Sequence, residues 1–406
     1  MIKYIEKGRA EGIITAPSSK SVGHRALICA AMCYGEKSRL SGLHACEDIF
    51  ATLDCLETLG VAVKANDCGV ELWGIKMSDV KPLPQNRLFC RESGSTMRFI
   101  IPLLWLTGND TFLYGSERLL ARPMDVYKQI AEEEGFKFSV SGNELFTKGM
   151  LKAGDYKVAG NISSQFITGL LFALSTLKDD SRIHMTTDVE SRGYIDITID
   201  VMKDFGVHIV WEDDRTLYIK GGQKYTGRDY TVEGDWSNAA FLEAFNCIGG
   251  DVRVSGLNEK SYQPDRIYRE HFESICHGFC QINLENCPDL GPILFTLAAA
   301  KDGARFIGTR RLSIKESDRI NDMKVELEKF GANIEVEENA VTVKKSELHA
   351  PTERLYGHND HRIVMSLTVL SSIFGGEIEG CEAVSKSYPT FFEDIEKLGI
   401  KSNETH

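Results

Sequence analysis

The chain has 406 residues with 47 basic and 59 acidic side chains, a formal net charge of −12, and that acidic balance argues against nucleic acid as the main partner. A composition of 42% hydrophobic and 26% charged residues excludes disordered and fibrous classes, and at about 150 residues per domain the length predicts two or three domains. Apolar stretches such as Phe99 to Leu106 are far shorter than the ~18 to 20 residues of a membrane-spanning helix, and the opening Met1-Ile-Lys-Tyr-Ile-Glu-Lys-Gly has no apolar signal core, so a cytoplasmic protein without a membrane partner is expected.

In chain order two local patterns alternate. A small polar cluster, Lys20-Ser-Val-Gly-His-Arg, precedes an apolar helix, and Leu56-Glu-Thr-Leu-Gly-Val-Ala-Val then reads as a helix end, a glycine and a strand. The pair recurs as Ser93-Gly-Ser-Thr-Met-Arg with Ala131-Glu-Glu-Glu-Gly-Phe-Lys-Phe, and as Ser163-Ser-Gln-Phe with Met202-Lys-Asp-Phe-Gly-Val-His-Ile. It returns as Trp236-Ser-Asn-Ala-Ala with Glu273-Ser-Ile-Cys-His-Gly-Phe-Cys, as Asp289-Leu-Gly-Pro with Leu327-Glu-Lys-Phe-Gly-Ala-Asn-Ile, and as Asp360-His-Arg-Ile with Glu396-Lys-Leu-Gly-Ile. The clusters start at 20, 93, 163, 236, 289 and 360, the glycines stand at 60, 135, 206, 278, 331 and 399, and both series shorten to 53 between the fourth and fifth copies.

Two landmarks that slip together predict six α/β units of roughly 70 residues, each with two helices and several strands, grouped three and three in two globular domains. Glycine is expected at each helix end because it enters the left-handed conformation without a Cβ penalty. Arg25 to Met32, Phe166 to Leu174 and Ile293 to Ala300 are apolar on most faces and predict one buried helix per unit; the other is amphipathic and superficial. No long linker separates the halves, and a crossover is expected near Gly221 to Gly234.

Eleven cysteines, most of them inside apolar runs such as Leu27-Ile-Cys-Ala-Ala-Met-Cys, read as reduced core residues. The group His271, Cys276, His277, Cys280 and Cys287 lacks the paired spacing of structural zinc sites, so no metal is expected. Each polar cluster falls at a predicted helix N-terminus, where free N–H groups and the macrodipole favour anions. Lys20, Arg25, Arg98, Arg122, Lys315, Arg319, Arg362 and Lys386 supply cations nearby. If these starts converge, an acidic protein holds a basic cleft suited to small, multiply charged anions.

Plainer readings stand beside these. Ser163 and Ser164 suit an N-cap, Asp289 suits a cap for the helix Leu290 to Ala300, and Glu316 and Asp318 suit first-turn carboxylates. There is no Gly-x-x-x-x-Gly-Lys-Ser/Thr, no Gly-x-Gly-x-x-Gly, no His-Glu-x-x-His and no Gly-x-Ser-x-Gly, so ATPase, nicotinamide and serine-hydrolase readings lose support. Nor are aromatics interleaved with basic residues as a base-stacking surface requires.

Nine motifs in order carry a resemblance that runs through nearly the whole chain. They are Pro17-Ser-Ser-Lys-Ser-Val-Gly-His-Arg, Glu92-Ser-Gly-Ser-Thr-Met-Arg, Ala121-Arg-Pro-Met, Ile162-Ser-Ser-Gln-Phe and Ser191-Arg-Gly-Tyr-Ile-Asp, followed by Pro288-Asp-Leu, Lys315-Glu-Ser-Asp-Arg, Asn359-Asp-His-Arg and Lys386-Ser-Tyr-Pro. Together they resemble the 5-enolpyruvylshikimate-3-phosphate (EPSP) synthase family of enolpyruvyl transferases. The resemblance implies an inside-out α/β barrel architecture, two globules each of three repeated α/β units, with one domain formed by 1–18 plus 230–406 and the other by 19–229.

It also implies a reaction: transfer of the enolpyruvyl group of phosphoenolpyruvate (PEP) to the 5-hydroxyl of shikimate 3-phosphate, with no cofactor or metal and with glyphosate as an expected inhibitor. By resemblance Ser21 and Arg25 hold the shikimate carboxylate, Ser163, Ser164 and Ser191 its phosphate, and Arg311 and Lys315 are further contacts. Lys20 reaches both substrates, Gln165 lies between them, and Gly94, Arg122, Arg319, Arg362 and Lys386 form the PEP shell. Asp289 resembles the base on the 5-hydroxyl, while Glu316 with Lys20 or Lys386 moves the other proton. Two positions depart from the family pattern: Glu92 stands where many relatives have Asn, and Arg311 where some have Asn touching the shikimate substrate.

The nearest rival, UDP-N-acetylglucosamine enolpyruvyl transferase, usually carries a Cys in the loop comparable to Tyr114-Gly-Ser-Glu-Arg-Leu-Leu-Ala-Arg-Pro, which has none here. A catalytically silent anion binder would have no use for Asp289, Glu316 and Lys386 together. A monomer that closes about its short crossovers on substrate binding is expected.

Overall fold

The polar clusters stand at helix starts, and in five of the six a side chain in the cluster or just before it is the cap. Ser19, Ser93, Ser163, Asp235 and Asp360 each accept a first-turn backbone N–H of the helices Lys20–Ala31, Gly94–Leu104, Ser164–Leu174, Trp236–Cys247 and His361–Phe374, satisfying donors that a helix start leaves open. The sixth of these helices, Gly291–Ala300, follows a 3-10 turn at Pro288–Leu290 and has no side-chain cap. The capping reading of Asp289 is thereby corrected: its carboxylate is engaged by three cations instead. Glu316 precedes the helix Arg319–Glu328, and Asp318 caps it by accepting from the Asn321 N–H.

The computed structural model describes residues 1–66, 69–82 and 86–405; Cys68 lies outside them. The ten cysteines among the described residues are free thiols; eight are buried, with Cys276 exposed and Cys280 intermediate. His271 Nε2 stands 3.7 Å from Cys287 Sγ.

Four sheets share one topology. Arg87–Phe89 runs parallel to Thr111–Tyr114, which pairs antiparallel with Glu144–Lys148, itself antiparallel to Lys137–Ser141. The same order recurs in the sheets built on Ser181–Met185, Lys37–Ser41 and Gly303–Ile307. In every case a buried helix joins two parallel strands or fills that place, and an amphipathic helix leads through a glycine into the hairpin. All six repeat glycines have positive φ, from 71° at Gly135 to 134° at Gly278, a region that side chains with a Cβ rarely enter.

The fifth sheet completes the pattern with strands from distant parts of the sequence: Ile2–Ile5 lies antiparallel between Gly376–Glu379 and Ser402–Thr405. The sixth is reduced to two parallel strands, Glu11–Thr15 and Asp251–Ser255. After Gly278 the chain passes directly into the strand Cys280–Asn283 with no hairpin between. That missing hairpin is the physical cause of the interval of 53 seen in both series.

The chain divides into two compact units, one of residues 1–17 with 234–406 and one of residues 18–233. Each has its own apolar core around three buried helices. No helix among the described residues is long and apolar enough to cross a membrane.

Candidate active site

In the unit of residues 18–233 three helix starts are tied together by side chains. Thr52 bridges the first to the second, with His24 Nδ1 at 2.8 Å and Thr96 Oγ1 at 2.7 Å from its hydroxyl. Burial holds His24 neutral, lowering its pKa to about 3. Gln165, on the third, donates through Nε2 to Ser95 Oγ at 2.9 Å and accepts from Arg98 Nη1 at 2.7 Å. Arg98 also donates to the Pro123 carbonyl at 3.0 Å and lies over the Phe166 ring. Arg98 thus fixes the Gln165 amide oxygen, a contact that its spacing in the sequence does not reveal.

Arg25 is 3% exposed, and its donors meet Thr198 Oγ1 at 2.7 Å, the Ser21 carbonyl at 2.7 Å and the Tyr194 carbonyl at 3.0 Å. Desolvation lowers its pKa to about 10, which leaves it cationic at neutral pH. The helix it touches, Arg192–Asp204, opens at Ser191, a buried non-glycine residue with φ of 58°; such a conformation costs on the order of 1 kcal/mol and gathers at functional sites. Lys20 Nζ is paired with Asp48 Oδ2 at 2.8 Å. Gly94 lies so near Arg122 that a Cβ would stand 2.6 Å from Nη1.

The unit of residues 1–17 and 234–406 gathers its own three starts around one guanidinium. Arg362 donates through Nη1 to Ser237 Oγ at 2.6 Å and through Nη2 to Asp289 Oδ2 at 3.0 Å. Asp289 Oδ1 also accepts from Arg319 Nη1 at 2.9 Å and Lys315 Nζ at 3.3 Å. Arg319, 1% exposed, reaches Glu316 Oε2 at 2.9 Å and Asp360 Oδ2 at 2.8 Å. Lys386 Nζ donates to the Asn359 carbonyl at 2.6 Å. Arg311 is buried close enough to Lys315 to disfavour its charge.

The expected basic cleft is therefore, in this unit, an ion-pair network. Burial of three arginine and lysine heads without counter-charge would be prohibitive, so carboxylates accompany them. Burial alone would raise the Asp289 pKa, but Arg362, Lys315 and Arg319 outweigh it and hold the carboxyl well below its usual range. Burial lowers Lys315 to about 8 against the opposing pull of Asp289, with Arg311 and Arg319 adding to the fall. Asp48 and Thr198 are partners that sequence reading does not single out, whereas Ser237 and Asp360 fall inside the polar clusters Trp236-Ser-Asn-Ala-Ala and Asp360-His-Arg-Ile.

The comparisons with known proteins fit this arrangement. A solved EPSP synthase from Acinetobacter baumannii superposes with a TM-score of 0.78 over 99% of this chain and all of its own at 23% identity, which establishes the fold. The sequence profile of the family EPSP synthase (3-phosphoshikimate 1-carboxyvinyltransferase) matches residues 5–395. Proteins named 3-phosphoshikimate 1-carboxyvinyltransferase from Clostridioides difficile strain 630 and Clostridium perfringens are 38% and 39% identical, covering 98% and 97% of this chain and equal shares of their own. The class is that of two-unit, repeat-built transferases, and the chain belongs to the EPSP synthase family.

Proposed function

We propose that the protein transfers the enolpyruvyl group of PEP to the 5-hydroxyl of shikimate 3-phosphate and releases phosphate, by addition and elimination through a tetrahedral ketal. The observation that carries this reading is the Asp289 knot: one carboxylate held at three helix starts by Arg319, Arg362 and Lys315. Guanidinium forks suit carboxylate and phosphate bidentately, so an incoming PEP anion competes with Asp289 for Arg319 and Arg362. Arg122 and Lys386 extend the PEP shell, with Gly94 leaving room beside Arg122.

On the shikimate side Ser21 and Arg25 serve the carboxylate, and Ser163, Ser164 and Ser191 the phosphate, with Lys20, Gln165, Arg311 and Lys315 completing the contacts. Asp289, once PEP has taken its cations, accepts the proton of the 5-hydroxyl. Lys315 joins Glu316 and Lys20 as a candidate proton carrier, since a group near pH 8 is suited to general acid work.

Phosphate release from PEP tests the reading, with shikimate 3-phosphate in one reaction, UDP-N-acetylglucosamine in another and chelator in both. Release only in the first is expected; release only in the second would transfer the protein to the rival branch. Because kcat/KM reports groups of the free enzyme, it is expected to decline above about pH 8, where burial has brought the Lys315 ammonium to its titration. Lys315→Arg should remove that limb, and a wild-type profile flat to pH 9.5 would take Lys315 out of the chemistry. Gly94→Ala is expected to raise KM for PEP several-fold without moving KM for shikimate 3-phosphate, because the added methyl displaces Arg122.

A further inference from the structure

We propose that His358 is a positioning residue for Lys386 and Arg362, acting through the strained turn on which it sits. The inference rests on the reading of those two cations as PEP contacts. His358 and Asn359 are consecutive non-glycine residues in the left-handed region, with φ of 49° and 53°. Non-glycine residues in that region are strained and persist only where their surroundings over-determine them.

The surroundings here are specific. Asp322 and Glu326 lie four residues apart on the helix Arg319–Glu328 and so share one face. The His358 ring sits against both, Nδ1 at 3.2 Å from Asp322 Oδ1 and Nε2 at 2.9 Å from Glu326 Oε1. Glu326, with its side chain 1% exposed, also accepts from Lys329 Nζ at 2.8 Å and from the Tyr356 N–H at 2.9 Å. The helix that begins at Arg319 is thus stapled to both sides of the turn.

What the turn delivers is the site. The Asn359 carbonyl accepts from Lys386 Nζ at 2.6 Å. Asp360, next in sequence, caps the following helix by accepting the Arg362 N–H at 2.9 Å and pairs with Arg319 Nε at 2.8 Å. Relaxation of residues 358 and 359 to negative φ would rotate the Asn359 carbonyl away from Lys386 and carry Asp360 with it. His358 touches none of the reacting groups, so its effect would be on where Lys386 and Arg362 point.

The test is steady-state kinetics and thermal melting on the full chain carrying His358→Leu, His358→Gln or Asp322→Asn, with Lys386→Ala as reference. His358→Leu is expected to raise KM for PEP about tenfold, with kcat and KM for shikimate 3-phosphate within about twofold of wild type. His358→Gln, which can still donate to Glu326, should recover most of the loss, and Asp322→Asn should show a smaller rise of the same kind. A lowered melting temperature with unchanged KM for PEP would make His358 a structural staple only and overturn the proposal. Should His358→Leu fail to fold, Asp322→Asn and His358→Gln decide by the same readout. An unchanged KM for PEP in Lys386→Ala would instead overturn the PEP assignment of Lys386, and the positioning role with it.

Discussion

Asp289→Ala is expected to lower kcat by at least 10²-fold, within the roughly 10²- to 10⁴-fold range of general acid–base catalysis, while PEP binds no more weakly than to wild type. The two halves of that expectation come from one geometry. Asp289 is shared among Arg319, Arg362 and Lys315 at 2.9 to 3.3 Å, and those cations depress its pKa well below the usual range. A carboxylate so held is a poor base. An anionic substrate that draws Arg319 and Arg362 to itself removes the depression and leaves burial, which raises a carboxyl pKa and makes it able to take a proton.

In the proposed mechanism, removing the side chain abolishes the base and also frees two guanidiniums from an internal competitor. Phosphate-release kinetics with calorimetric titration of PEP separate the two effects. Wild-type turnover would take Asp289 out of the mechanism. A kcat loss accompanied by an equal loss of PEP affinity would mean that Asp289 organises the cations and is not in competition with their ligand.

Arg319→Met is expected to cost about 3 to 5 kcal/mol of stability, the usual price of leaving buried partners of an ion pair uncompensated, and to lower the melting temperature by roughly 10 °C or more. Arg319 is 1% exposed and the Asp360 side chain is fully buried, with Glu316 and Asp289 on the same guanidinium. Methionine fills similar volume, so the loss is one of charge pairing and hydrogen bonds, with little cavity.

The sign of the pH dependence follows from the carboxylates. Arg319 and its neighbours hold Asp289 and Asp360 below the ordinary value against the opposing effect of burial, so their contribution is complete above about pH 4 and is lost as pH falls through the depressed values. In the variant, burial acts on Asp360 with less opposition, protonation comes earlier and relieves the uncompensated charge. The stability gap between wild type and Arg319→Met should therefore narrow from neutral pH toward pH 4. A gap independent of pH would show that packing, not pairing, is what Arg319 supplies.

Much of this is legible in the sequence. The polar residue before each apolar run marks a helix start because the cap is a local hydrogen bond, and five of the six helices are capped by a side chain in the cluster or just before it. The exception, Asp289, misled because a carboxylate at a helix start looks the same in sequence whether it caps or is drawn away by cations. The shortening to 53 was visible as a number, yet its cause, an absent hairpin, needed the strand order. The family was legible from nine motifs in order, and the profile match over residues 5–395 agrees with it.

Residue order dictates features that are local and periodic: where helices start, where a glycine ends them, which faces are apolar, and which cations stand near which helix starts. These follow from interactions between residues a few positions apart. Which charges neutralise which is set by contacts between residues far apart along the chain. Arg362 meets Asp289 across 73 positions and Arg25 meets Thr198 across 173. Such pairings depend on how repeats pack around shared buried helices, and the energy of a buried charge depends on its counter-charge and its distance from water, neither of which is written in the spacing of residues along the chain.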